Sequence, residues 1–227
     1  MEKKKDRVKT DPMMEDECTN MYMEETLQRY LDDLASAKPT PGGGSTAALN
    51  GAMGAALASM VCRLTMGKQA YASVQQEIEE LLRKTEYLRN RFQQLMQEDI
   101  KAYGRLSASY KLPRETTDER ESRTEAIQKQ LVEAALVPLE VAECAAELSQ
   151  CCLRIAEIGN TTVLSDVATG AILASSAGEG AAFMVRINLR SMKDDKLVAE
   201  LGDRLNTALA IIAEGVQQVT NRVGGRS

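Results

Sequence analysis

A chain of 227 residues is long enough for one helical domain with a sizeable core, and its 44% hydrophobic content supplies that core. With 4% aromatic residues and no Trp, the interior must be filled by Leu, Ala, Val, Ile and Met, which favours helices over strands. A net charge of -5 excludes a general attraction for nucleic acid or an anionic membrane, so an anionic ligand must be met by local Lys and Arg.

Histidine is absent, which excludes a Ser-His or Cys-His nucleophile pair, an imidazole acid or base, and a His-ligated metal. Proton transfer falls to Asp, Glu, Lys, Tyr or Cys. The five cysteines, Cys151 and Cys152 adjacent, lack the spacing of a zinc site or a disulfide framework and read as reduced cytoplasmic thiols in the core. No apolar stretch follows the basic opening Met1 to Arg7, so no secretory signal is expected; residues 1–20 read as a disordered charged tail before a helical domain over 21–227.

In chain order, Met23, Leu27, Tyr30, Leu31 and Leu34 recur at helical spacing and predict an amphipathic helix ending near Lys38. Pro39-Thr40-Pro41-Gly42-Gly43-Gly44 breaks it, and Ser45 is placed to cap the next helix. From Thr46 to Cys62 the only polar side chains are Thr46, Asn50 and Ser59, so this helix is expected to be buried nearly all round. A bilayer span is the rival reading, but the segment is short and its Ala and Gly are weakly hydrophobic. Val74, Ile78, Leu81, Thr85, Leu88, Phe92, Leu95, Asp99, Ala102 and Leu106 form a 4-3 repeat that predicts one long helix over about 70–110. Asp99 falls on its apolar seam.

The run Arg114 to Arg123 reads as a solvated turn and helix start, with Ile127, Leu131 and Ala134 resuming the apolar pattern. Pro138 is expected to kink or restart this helix before Val141, Leu148, Cys152 and Ile155 carry it to Gly159. Gly159-Asn160 stops it, and Ser165-Asp166 is placed to cap a second helix of small residues, Val167 to Val185, again expected to be buried. Arg186 and Asn188 follow among apolar neighbours and need partners if buried. A last amphipathic helix spans about Lys193 to Val223, with Leu197, Leu201, Leu205, Leu209, Ile212, Val216 and Val219 on one side. No segment alternates with period two, so the fold is expected to be all-α: a multihelical array around two buried Ala/Gly-rich helices.

Gly42, Gly43, Gly44 and Ser45 place backbone N–H groups at a positive helix end, which suits an anion or a carbonyl-like group; a plain turn between crowded helices is the alternative. An ionised Asp99 on a buried seam is costly unless it is paired or faces a cavity, and Tyr103 lies one turn beyond it. Its alternative is a structural pair with Lys or Arg. Asp166, beside Ser165 at the start of a buried helix, reads as a helix cap. Lys68 reads as a cation at the helix C-terminus, and Arg186 as a salt-bridge partner.

Taken together, Pro39 to Ser45 before an Ala/Gly helix, Leu64-Thr65-Met66-Gly67-Lys68, Asp99-Ile100-Lys101-Ala102-Tyr103, Tyr110-Lys111-Leu112-Pro113, Gly159-Asn160, Ser165-Asp166 and Val185-Arg186-Ile187-Asn188-Leu189 resemble the cyclodeaminase/cyclohydrolase family. The resemblance covers about residues 23–222. Thr161-Thr162 departs from the Pro-Asn type of sequence expected there, and the charged tail lies outside the pattern.

The resemblance implies a homodimer acting on a tetrahydrofolate derivative, without metal or redox cofactor; net charge and the weak hydropathy of the Ala/Gly helices lead to the expectation of no nucleic-acid or membrane partner. It implies a carboxylate for proton transfer, for which Asp99 is the first candidate and Asp166 the second, with pairing of either aspartate to the 2-amino and ring N–H donors of the pterin as the alternative role. Gly42, Gly43, Gly44, Ser45, Tyr103, Ser165 and Asn188 are candidates for the substrate pocket, and Lys68 and Arg186 for the anionic glutamate tail. The expected reaction is hydrolysis of 5,10-methenyltetrahydrofolate to 10-formyltetrahydrofolate. Cyclodeamination of 5-formiminotetrahydrofolate and a non-catalytic folate-binding or scaffold role are the alternatives.

Overall fold

Each helix expected from the sequence forms, with its ends set by local caps and breakers. A computed structural model describes residues 22–225, all helices and turns, with no strand among the described residues. The expected tail over residues 1–20 lies outside them. Helix α1 (Leu27–Leu34) starts at Thr26, whose Oγ1 accepts from Arg29 N. It is shorter than expected, and Met23, Leu27 and Leu31 are exposed. The buried side of α1 is instead Tyr30 and Asp33, because Asp33 accepts hydrogen bonds from Tyr22, Arg29 and Lys38 and so can be enclosed.

Helix α2 (Gly43–Thr65) opens at Gly42, so Ser45 is not the N-cap: it sits in the first turn, and its Oγ accepts from Gly42 N at 3.1 Å. A 3-10 turn (Gln69–Val74) precedes α3 (Gln75–Tyr110), whose seam buries Ile78, Thr85, Leu88, Phe92, Leu95, Ala102 and Leu106 as the repeat requires. Helix α4 (Thr117–Ile158) begins at a capping box in which Thr116 and Glu119 satisfy each other's backbone N–H groups. It runs through Pro138 without a break.

Helix α5 (Leu164–Leu189) follows a short 3-10 turn capped by Asn160, and α6 (Asp195–Gly224) starts at Asp194. Ser165-Asp166 is not the cap of α5: both residues lie in its first turn, where a carboxylate still favours the positive helix end.

Helices α2 and α5 are antiparallel, with Gly43 beside Met184, Ala47 beside Gly180 and Gly54 beside Gly170. At the last contact the backbones nearly touch: a Cβ on Gly54 would lie 2.8 Å from the Gly170 carbonyl oxygen. Helices α3 and α4 flank this pair, and α6 packs over α4 and α5. Four cysteines, Cys62, Cys144, Cys151 and Cys152, are free and buried; Cys18 lies outside the described residues. Burial pushes the Cys62 and Cys144 thiols up to about 12 and Cys151 to about 11, which makes them packing groups.

The expectation that α2 and α5 are buried nearly all round is corrected by one open face. Met53, Met60 and Leu64 on α2 and Ile172, Phe183 and Ile187 on α5 are exposed, Phe183 by 66%. By length and composition α2 could cross a membrane, yet its opposite side is packed inside the fold. Small residues all round a helix leave no stripe in the sequence to mark which face is covered.

Candidate active site

Asp99 is carried to the start of α2 by the seam of α3. Its carboxylate lies against Gly44, where a Cβ would fall 2.7 Å from Oδ2 and nearer still to Oδ1. Burial raises its pKa from 3.8 to about 6, and the Ser45 backbone N–H, hydrogen-bonded to the carboxylate, opposes part of that rise. Among the described residues no Lys or Arg contributes to this balance, so a structural ion pair within them does not describe Asp99. One residue earlier, Glu98 is held by Arg91, which also clasps Glu140 of α4 and anchors this part of α3.

The carboxylate opens on a cavity of about 400 Å³ between the Pro39–Gly44 loop, α3, α4 and α5. Thr40 and the three glycines form the loop wall; Tyr103, Leu106 and Tyr110 continue the Asp99 face of α3; Leu131 and Ala134 come from α4; Met184, Ile187 and Asn188 come from α5. The wall is largely apolar and aromatic, with polar groups from Asp99, Asn188, the hydroxyls of Thr40, Ser191, Tyr103 and Tyr110, and the backbone, a composition suited to a flat heterocycle held by a few oriented polar contacts. The loop itself is braced by Tyr30, buried on α1, whose hydroxyl lies 3.1 Å from Thr46 Oγ1 and 3.5 Å from Ser45 Oγ. Both of those hydroxyls donate to the Gly42 carbonyl.

Of the residues singled out in the sequence, the structure brings together Gly42, Gly43, Gly44, Asp99, Tyr103 and Asn188, with Ser45 directly behind. Lys68, Ser165 and Asp166 are at the opposite end of the α2/α5 pair. Asp166 and Asn188 share α5 but stand about 33 Å apart at about 1.5 Å per residue. One chain therefore does not place Asp99 and Asp166 in one site. Around Lys68 the backbone is ordered by side chains: Tyr71 Oη accepts from Thr161 N, and buried Asn160 donates to Leu64 O. Arg186 is exposed on the open face of α5. Its structural alternative, a salt bridge, is not among the ion pairs of the described residues.

Sequence reasoning missed Leu106, Tyr110, Leu131, Ala134, Met184 and Ile187 as cavity residues. Leu106 and Tyr110 were within reach of it, because they follow Asp99 and Tyr103 along one face of the helix. Leu131 and Ala134 carry no such signal, since only the crossing of α4 over the site exposes them to it.

Comparison with known proteins gives a consistent relationship. The sequence pattern of the formiminotransferase-cyclodeaminase family matches residues 26–207. The chain is 38% identical over 190 residues to the methenyltetrahydrofolate cyclohydrolase of Methylorubrum extorquens, covering 84% of this chain and 90% of that protein. It is 32% identical over 187 residues to the formimidoyltransferase-cyclodeaminase of Rattus norvegicus, covering 82% of this chain but only 35% of that longer protein. The crystal structure of formiminotetrahydrofolate cyclodeaminase from Thermotoga maritima superposes with a TM-score of 0.82 at 30% identity, over 89% of this chain and 98% of that one. The chain belongs to the formiminotransferase-cyclodeaminase family.

Proposed function

We propose that the protein hydrolyses 5,10-methenyltetrahydrofolate to 10-formyltetrahydrofolate in the Asp99 cavity. The observation that carries this reading is a carboxylate with no ion-pair partner among the described residues, poised to gain or lose a proton near neutrality, at the wall of a largely apolar pocket. The substrate's N5–C–N10 bridge is an amidinium cation, which a carboxylate attracts. Water adds to the bridge carbon and its proton passes to Asp99. Asp99 returns that proton to N5 as the C–N5 bond breaks, while the new hydroxyl loses its proton to solvent and becomes the formyl oxygen on N10. The balance is one water consumed and one proton released. No electrons move, and the cation is its own electrophile, so neither a redox cofactor nor a metal is required. The identity and near-complete overlap with the Methylorubrum extorquens cyclohydrolase support this reaction.

A second reading, cyclodeamination of 5-formiminotetrahydrofolate, is favoured by the likeness to the Thermotoga maritima cyclodeaminase. There N10 attacks the formimino carbon, its proton passes by way of Asp99 to the formimino nitrogen, and one further proton from solvent lets that nitrogen leave as ammonia. Either way the buried thiols fit a reducing, cytoplasmic setting.

The reading includes a homodimer built on the open face of α2 and α5. The exposed Met53, Met60, Ile172, Phe183 and Ile187 form an apolar surface of the kind that marks an interface. A two-fold pairing of this face with itself sets each chain against the reversed copy of its own helices. The Lys68/Asp166 end then meets the Asp99 cavity of the partner, so that Ser165 and Asp166 serve that cavity and Lys68 and Arg186 meet the anionic tail. The membrane and nucleic acid have no part in this reading. The test is to offer the purified protein 5,10-methenyl- and 5-formiminotetrahydrofolate separately, following methenyl absorbance and ammonia. Loss of the methenyl signal supports the hydrolase; its gain with stoichiometric ammonia supports the deaminase. Turnover of neither overturns both.

A further inference from the structure

We infer that Asn188 presents a fixed hydrogen-bond acceptor to an N–H or O–H donor in the Asp99 cavity, and that Pro138 of α4 sets its orientation. The inference rests on the folate reading above. Pro138 has no N–H, so inside α4 it deprives the carbonyl of Ala134, four residues earlier, of its usual helical donor. Asn188 fills that gap from α5: its Nδ2 donates to Ala134 O at 2.8 Å and to Met184 O at 2.9 Å.

A side-chain amide has two N–H bonds, and both are used. The flipped amide would turn Oδ1 towards two carbonyl oxygens, so the orientation is fixed. Oδ1 is therefore left as the acceptor on a residue of the cavity wall, on a different helix from Asp99. A proline that reads in the sequence as a kink thus acts, one helix away, as a positioning residue.

Two donors fit: the water that attacks the bridge carbon, and an N–H of the pterin ring or its 2-amino group. Kinetics of Asn188→Leu distinguish them. Loss of a contact to attacking water lowers kcat with KM unchanged, whereas loss of a ground-state contact to the pterin raises KM with kcat nearly unchanged. The expected result is a drop in kcat/KM of tenfold or more, by either route, with unchanged helical circular dichroism.

Pro138→Ala supplies a variant that does not touch the cavity. It returns an N–H donor to the Ala134 carbonyl and raises helix propensity, so Tm should hold or rise while kcat/KM falls threefold or more as Asn188 is released. A merely structural role for Asn188 would not separate activity from stability in this direction. Wild-type turnover with kcat/KM of Pro138→Ala and every folded Asn188 variant within threefold of wild type overturns the inference alone. Turnover of neither folate by wild type overturns it together with the reading on which it rests.

Discussion

Gly44 and Asp99 are in contact across the start of α2, with no space for a methyl group between backbone and carboxylate. The acid can approach the helix N-terminus only because residue 44 has no side chain. Gly44→Ala should displace the carboxylate or the first turn of α2 and reduce kcat/KM on the order of 100-fold, as misplacing a reacting group by about 1 Å does. Gly51→Ala is the comparison, because its Cβ would fall 2.6 Å from Phe92 Cδ1, in the core and away from the cavity. It should cost about 1–3 kcal/mol of stability by overpacking and leave kcat close to wild type in the folded protein. Parallel urea melts and steady-state kinetics of the two variants check the pair.

Asp99 should be a liability for folding. Its carboxyl binds a proton more tightly in the folded chain, about 6 against 3.8, so the folded state holds more protons between those values and stability falls as pH rises through them. Asp99→Asn removes the ionisation and should be the more stable protein at pH 7, by an amount on the order of 2–3 kcal/mol at about 1.4 kcal/mol per tenfold. The gain should fade as pH falls towards 4. Turnover should be lost, and wild-type kcat/KM should rise with pH through about 6 as the base form appears. Denaturant melts from pH 4 to 8 measure the first effect, and a pH–rate profile the second.

If Asp166 serves the cavity of the partner subunit, variants at the two aspartates should rescue each other. Asp99→Asn and Asp166→Asn homodimers each carry two defective sites. A mixed dimer carries one site with both substitutions and one intact site. Unfolding and refolding an equal mixture should therefore recover about a quarter of wild-type activity, since about half the dimers are mixed. No recovery from folded dimers would place Asp166 outside the site.

Lys68 is exposed at the end of α2 and is free to meet an anionic tail. Lys68→Ala should raise KM severalfold for a polyglutamylated folate with little change in kcat, because the contact is equally strong in ground and transition states. The increase should shrink with a monoglutamate substrate and with added salt. An unchanged KM for the polyglutamate would remove Lys68 from the site.

The sequence by itself determined the helices and the exceptional residue among them. The 4-3 repeat of α3 marked Asp99 as a carboxylate where an apolar side chain belongs, and most of the repeat came out buried, with Val74, Leu81 and Asp99 itself partly so. The prolines and glycines before α2 marked the turn that meets Asp99, and the stripe from Leu201 to Val219 marked the buried face of α6. Periodicity could do this because it reports which side of a helix is apolar.

Periodicity does not report what covers that side. Around α2 and α5 small residues occur on every side, so only the packed structure distinguished buried Ala55 and Ala174 from exposed Met53 and Phe183. Tertiary structure also decided that Asp166 and Lys68 lie a helix length from Asp99, a separation hidden when motifs are read in chain order. It brought Asn188 of α5 to the carbonyl that Pro138 leaves open on α4. That contact joins residues 54 positions apart, and it depends on where two helices cross rather than on the local preference of either.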